Sequence, residues 1–369
     1  MSQYLIASNT SAVFIRTQTV LGTFADATNV SEDGSGAATG IYAVRVVGTP
    51  KFTPRGAGII QRTDIYTPYG GGQSAVTGGI GWDITLQTEF FWRFDETQGV
   101  AAQYITTDTS QLSALWLASP WAITLPNTDT LLTVQQAYYA DVDRATADYA
   151  VQPFSIVYEE TNGKRYEAED CVCVPKISWE SGGKIMLDWT IKGKWRPVGD
   201  SITQAPTYPE QYTPTAMPQP PLIGQNGAMA LTGFFGTATN ALSKVTVDTG
   251  WAISDVMDTR QTYGFGIAFV ALTTYPTIAV EVANFTENAQ PDFTDAESNL
   301  IFDGTGGNGS ALTVTLTIGG NTIVFTLNLP QLIEWPAPGD ANGYRNIGLK
   351  FGGIPNNTQT TVMSILFNS

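Results

Sequence analysis

The chain contains no histidine, only two cysteines and, at 14% of its residues, few charged side chains. Each shortage excludes something. Without histidine there can be no Ser-His-Asp triad, no Cys-His pair and no HExxH zinc site. The cysteines, Cys171 and Cys173, stand two apart on one predicted strand, a geometry poorly suited to a mutual disulfide. A packed or half-exposed thiol pair fits them better, because a metal site would need two further ligands. No apolar run reaches the roughly 20 residues of a membrane-spanning helix. Residues 1–20 lack the basic start and continuous apolar core of a signal peptide. No phosphate-binding GxxxxGK[ST] loop occurs. The run GTGGNG at Gly304–Gly309 lies between a predicted helix and a predicted strand, the reverse of a dinucleotide fingerprint, and is read as a turn. Asp292, Asp295 and Glu297 lack EF-hand spacing, and acids near a helix start already suit its dipole. Two carboxylates could still form a glycosidase pair, but nothing local brings two of them together. The chain is therefore expected not to be an enzyme and to hold no metal or cofactor.

The net charge is −15. Residues 222–369 hold 4 basic and 11 acidic side chains, and the remainder 14 and 22, so both halves are acidic. This balance argues against wrapping nucleic acid by phosphate neutralisation, but not against DNA passing nearby. A charged fraction well below the ~25% usual for soluble domains leaves a surface suited to protein contacts. The alternative is simply an all-β protein, since Thr, Gly, Tyr and Trp also favour strands and turns.

What is present points to strands. The 37 glycines and 20 prolines fit many turns, and 369 residues suggest about two domains. One unit, Phe154 to Trp195, organises the chain. Phe154, Ile156 and Tyr158 alternate with Ser155 and Glu159 in a strand of period two. Asn162-Gly163 makes a hairpin turn, and a second strand through Cys171–Val174 is expected to stop at Pro175. After Ser181-Gly182-Gly183, Ile185, Leu187, Trp189 and Ile191 define a third strand. A similar unit occupies Leu312 to Phe351, with a turn at Gly319-Gly320-Asn321 and a return strand ending at Pro330. Gly163/Gly320, Pro175/Pro330 and Trp179/Trp335 are separated by 157, 155 and 156 residues, which is read as an internal duplication.

The fold class expected is mainly β: two tandem β-sandwich or barrel domains, each with a short flanking helix. The first domain spans 1–199, a Pro-rich linker 200–221 and the second domain 222–369. Residues 1–40 are expected to be an irregular arm with one apolar patch, Ala12–Phe14. Ile41–Phe52 is read as a strand. Thr53–Gly79, about 27 residues, is too long for an idle connection. A disordered tip is one reading; an extended hairpin reaching another subunit is the expected one, because Ile59, Ile60, Ile65, Tyr66 and Tyr69 would be costly to leave in water. In Ile80–Phe94, Trp82, Ile84, Leu86, Phe90 and Trp92 share one face, and Asp83, Thr85, Gln87 and Glu89 the other. Asp108–Ser119 and Asp292–Leu300 are expected short helices. Gly266–Thr274 is matched to Gly79–Thr88, residues 119–150 hold a segment the second half lacks, and Thr361–Phe367 is a final strand.

The segments FIRTQTVLGTFADAT, VRVVGTPKFTPRGAGIIQRTDIYTPYGGGQ, GIGWDITLQTEFF, QLSALWLAS and EDCVCVPKISWESGGKIMLDWTIKGKWRP, with the C-terminal half, give a layout that resembles the tail tube proteins of long-tailed bacteriophages. The likeness covers nearly the whole chain as a pattern of elements rather than a strict motif. It implies a structural virion protein forming stacked hexameric rings around an acidic channel that conducts DNA at ejection without binding it. It also implies a long loop and N-terminal arm that touch the next ring, and no catalytic residues. Its partners would be itself, a tape measure protein and tail-end proteins. Its location would be the virion tail, after assembly in the host cytoplasm. A duplicated chain would give trimeric, pseudo-hexameric rings; a second half serving as decoration would give hexamers. Asp83, Gln87 and Glu89 are the lumen-facing candidates. The alternative is a carbohydrate-binding, adhesin-like β protein on a virion surface, its Trp and Tyr residues forming a stacking platform. A capsid protein is a weaker third reading.

Overall fold

The computed structural model describes residues 12–18, 22, 24, 41–44, 46–56, 60–63, 73–76, 80–89, 115–116, 118–119, 122–124, 131–137, 153–160, 165–180, 183–196, 227–232, 242–257, 265–271, 276–283, 312–318, 321–328, 330–341, 344–353 and 361–368. The linker at 200–221 and the expected helix at 292–300 lie outside them. Nearly all of these residues are in antiparallel strands. In the N-terminal part these are β1 (Ala12–Thr17), β2 (Ile41–Val44), β3 (Lys51–Gly56), β4 (Ile60–Thr63), β5 (Gln73–Val76), β6 (Ile80–Glu89), β7 (Ala122–Thr124) and β8 (Leu131–Ala137). Then come β9 (Phe154–Glu159), β10 (Arg165–Glu180), β11 (Met186–Trp195), β12 (Gly227–Thr232), β13 (Leu242–Asp248), β14 (Trp251–Met257) and β15 (Phe265–Ala271). The remainder are β16 (Thr277–Ala283), β17 (Leu312–Ile318), β18 (Asn321–Leu327), β19 (Pro330–Ala341), β20 (Tyr344–Gly353) and β21 (Thr361–Asn368).

Two sheets carry the fold. An eleven-stranded sheet runs β19-β20-β16-β13-β10-β11-β6-β3, with β9, β1 and β2 branching from β10. A six-stranded sheet runs β12-β17-β18-β21-β8-β7. Both take strands from both sides of residues 200–221, joined at β10–β13 and at β21–β8. The sheets face each other across one continuous apolar core. Trp179 of β10 meets Phe325 of β18 with ring centroids 4.9 Å apart. The core-facing residues are those the period of two assigns: Ile84 and Leu86 on β6, Leu187, Trp189 and Ile191 on β11, Ile323, Phe325 and Leu327 on β18. Each such side chain contributes roughly 1.5–3 kcal/mol by leaving water.

Strand β10 links two surfaces. Its first half pairs with β9, its last five residues pair with β13, and β11 lies along its other edge. The registers slip at Glu169–Val172. Within this bulge Asp170 has φ 51°, the one non-glycine residue at positive φ among the described residues. The bend turns β9, β1 and β2 away from the sheet. The curl closes where Val46 bridges to Thr88 and the Val47 N–H donates to the Gln87 carbonyl at 2.7 Å. The result is a barrel-like circuit β6-β11-β10-β9-β1-β2. Phe52, Trp82, Tyr158 and Tyr166 pack together across it, with the Phe52 and Tyr158 rings stacked at 5.2 Å.

Three expectations are corrected here. The apolar patch of the arm is the strand β1, paired edge to edge with β2 and β9, and the successive residues Val13, Phe14 and Ile15 are all buried, so both its faces are covered and it shows no alternation. The expected strand 41–52 is two strands, broken at Gly48, whose φ of +76° suits a residue without Cβ. The strand expected to end at Pro175 continues to Glu180. The Cys173 N–H points away from β11, donating to the Ala118 carbonyl at 3.0 Å. Two residues on, the missing N–H of Pro175 faces that same edge, between the start of β9 at Phe154 and the end of β13 at Asp248, where no ladder bond is lost. The 115–119 segment fills this gap: Leu115 and Trp116 are helical, and Trp116 packs edge-on against Trp189 at 5.2 Å. The rest of the helix expected at 108–119 lies largely outside the described residues.

A buried polar knot fixes the bulge. One carboxylate oxygen of Asp170 accepts from the Gly22 N–H at 2.8 Å and the Gln18 amide at 3.3 Å. The other accepts from Lys194 Nζ at 2.5 Å. The Asp170 N–H donates back to Gln18 Oε1 at 2.7 Å. Just beyond, the Arg196 guanidinium lies 4.0 Å from the centre of the Phe24 ring and 3.5 Å from Glu167. Gln18, Gly22 and Phe24 are thus fastened over the bulge.

Candidate functional site

The outward face of the eleven-stranded sheet carries the polar residues that the alternation leaves over. Asp83 and Gln87 stand there on β6, opposite the buried Trp82, Ile84 and Leu86. Glu89 ends β6 opposite Met186; its side chain lies outside the described residues. Asp83 sits between two cations, Arg55 Nε of β3 at 3.2 Å and Lys192 Nζ of β11 at 3.9 Å. Burial lowers the pKa of both cations, the neighbouring Arg55 lowers that of Lys192 further, and Asp83 opposes the shift in each. The Gln87 amide donates to Asp188 at 2.7 Å.

The same arrangement crosses the whole sheet. Strand register sets Asp83 opposite Lys192, Asp188 opposite Lys176, and Lys176 opposite Asp248. It sets Glu180 opposite Lys244, Lys244 opposite Glu281, and Lys350 opposite Glu334. Lys244 Nζ lies 2.9 Å from Glu180 and Lys176 Nζ 3.9 Å from Asp248; Lys350 also contacts Glu334. The hydrogen bond and charge of Glu180 raise the pKa of Lys244. With Arg55, five cations meet six carboxylates on this face, and Lys51 of β3 stands there too, opposite Thr85 rather than an acid. The residues flanking Asp83 were not singled out by sequence. Their signal was a charge at each polar phase of an alternating strand, but which charges meet depends on long-range pairing. Between Lys244, Lys350, Glu281 and Glu334 the face dips into a shallow depression floored by Ala279 and Gly348.

The expected extended hairpin within Thr53–Gly79 is present as β4 and β5, a separate two-stranded sheet pairing Ile60 with Val76. Ile60 opens β4, whereas Ile59, Ile65, Tyr66 and Tyr69 lie outside the described residues. A second separate hairpin is formed by β14 and β15.

The two cysteines are buried and free, and desolvation holds both thiols well above their ordinary pKa. The Cys173 thiol donates to the Leu115 carbonyl at 2.9 Å. Gly193 makes room for Cys171: a Cβ there would stand 2.5 Å from its sulfur. Among the described residues no group of three potential metal ligands converges, and no helix is long and apolar enough to cross a membrane. No family model matches the chain, and no curated protein matches it.

Proposed function

We propose that the chain is a tail-tube-type structural virion protein built from two fused ring-forming units, at 1–199 and 222–369. Chains join edge to edge into rings, and the rings stack into a conduit for DNA. The observation that carries this reading is the strand order of the large sheet. It divides into two blocks, β10-β11-β6-β3 and β19-β20-β16-β13. In the first, β3 and β6 pair with each other and the β4–β5 hairpin lies between them in sequence. In the second, β13 and β16 pair with the β14–β15 hairpin between them. The chain then makes the hairpins β9–β10 and β10–β11 in one unit, and β17–β18 and β19–β20 in the other. The strand β1 lies beside β9 as β12 lies beside β17. On this topology β16, not the segment 266–274, is the counterpart of β6.

The blocks lie head to tail, so β10 of the first pairs with β13 of the second. The outer edges left over are β19, the counterpart of β10, and β3, the counterpart of β13. They are therefore of the two kinds that already pair inside the chain, and of the polarity needed to pair between chains. Open edges of this sort otherwise invite uncontrolled association. The two large apolar residues exposed among the described residues lie there: Ile333 on β19 and Val47 just before β3. Pairing residues 331–335 with β3 of the next chain repeats the β10–β13 junction, where the paired residues 176–180 likewise follow a proline. Head-to-tail contacts close when the rotation allows; three chains then supply six blocks. The core-free face of the large sheet, with Asp83, Gln87 and Glu89, lines the channel, and the β4–β5 hairpin reaches the adjacent ring.

Electron microscopy of the concentrated protein, with symmetry averaging, tests this. Hollow tubes with three chains per ring are expected, and Ile333→Asp should leave a folded monomer. Six chains per ring would overturn the fused-unit arrangement. Absence of tubes even when seeded by tail-end proteins would overturn the function and turn attention to sugar binding.

A further inference from the structure

We infer that the outward face of the large sheet is a shielded surface, on which cross-strand carboxylates quench most of the cations so that a double-stranded polyanion slides past without being captured. The inference rests on the proposed function for the identity of the passing polyanion. It departs from the expectation of an acidic channel wall, because this face is close to neutral while the chain is not. Arg55, Lys176, Lys192, Lys244 and Lys350 are a large share of the chain's 18 basic residues, gathered on one face. Left alone, a row of cations across a sheet would bind phosphates and release their counterions. Strand register prevents that. Lys176 lies between Asp188 and Asp248, and Lys244 between Glu180 and Glu281. Asp83 bridges Arg55 and Lys192, and Glu334 holds Lys350. The carboxylates are mostly the more exposed partners: side-chain exposure is 66% for Glu180 against 41% for Lys244, and 61% for Glu334 against 38% for Lys350. An approaching phosphate therefore meets the anion first. Uniform negative charge would also prevent capture, but at the cost of repelling the polyanion at entry; paired charges give a short-range field that decays within a few ångströms.

The test is duplex DNA binding by the full chain in solution, measured by fluorescence anisotropy between 50 and 200 mM salt. The wild type is expected to show no salt-dependent binding. The variant Asp83→Asn, Asp188→Asn, Glu180→Gln, Asp248→Asn, Glu281→Gln, Glu334→Gln is expected to bind. Its log–log salt slope should be about −4 to −5, a loss of about 10²- to 10³-fold over that range. Adding Arg55→Gln, Lys176→Gln, Lys192→Gln, Lys244→Gln and Lys350→Gln should abolish the gain. If the full set fails to fold, two half-sets carry the same test, each with a slope of about −2: Asp83→Asn with Asp188→Asn, and Glu180→Gln with Glu281→Gln and Glu334→Gln. Binding by the wild type, no binding by the folded variants, or binding that survives removal of these cations would each overturn the inference. None of these readouts needs a ring, so failure of the tube leaves the result interpretable.

Discussion

The knot at Asp170 and the ladder on the outward face use the same chemistry, carboxylate against ammonium, in opposite settings. Asp170 and Lys194 are buried, and the Asp170 carboxylate also accepts from Gln18 and Gly22. Exposed pairs such as Lys176–Asp248 leave both groups largely in water. Desolvation makes the first arrangement unforgiving: removing one partner strands a charge in a medium that cannot solvate it. In the second, water replaces whatever is lost. Buried pairing fixes one geometry, here the bulge that sends β10 from the flat sheet into the barrel-like circuit. Exposed pairing sets the character of a surface and contributes little to folding.

The comparison can be broken in order of effect. Asp170→Ala should cost about 3–5 kcal/mol in urea unfolding, because it leaves Lys194 buried and unpaired. The double variant Asp170→Ala/Lys194→Met should cost less than that single change; a larger cost would mean that the backbone conformation, not the ion pair, dominates. Gly193→Ala, which drives a methyl onto the Cys171 sulfur, should cost about 1–3 kcal/mol, much of it recovered with Cys171→Ala. Glu180→Ala, on the ladder, should change stability by about 1 kcal/mol or less, and less still in high salt. The smallest effect concerns Glu169, whose pKa is raised first by burial and then by Asp170, against the pull of Arg196 and Lys194. A raised carboxyl pKa contributes stability at low pH that is lost as pH rises through the folded value. Glu169→Gln should therefore raise the unfolding midpoint at pH 7, and the gain should vanish below the ordinary value of 4.5. A gain that grew on acidification would reverse the sign assigned to this site.

Local periodicity made part of this architecture legible. The faces of β6, β11, β17 and β18 followed from alternation, as did the pairing of β17 with β18, because each strand buries one side only. The strand β1 escaped because both its sides are covered, and Pro175 misled because its effect depends on which edge its nitrogen faces. The β10–β13 and β21–β8 pairings join residues far apart in sequence, and nothing local encodes them. The polar face of β6 was therefore legible at Asp83 and Gln87, while the cations that answer Asp83 were not. Similarly, Asp170 looks like any acid beside Cys171 until the bulge brings it to Gln18, 152 residues away.

The two sulfurs under that bulge have a practical consequence. Both thiols are enclosed, one against Gly193 and the other bonded to Leu115, and burial keeps them in the unreactive protonated form. An alkylating reagent can then reach them only when β10 and β11 part. In excess reagent the modification rate should equal the rate at which this region opens, and in dilute reagent it should be proportional to the equilibrium population of the open form. The chain carries a built-in clock for its own unfolding, which can be read by mass without introducing any probe.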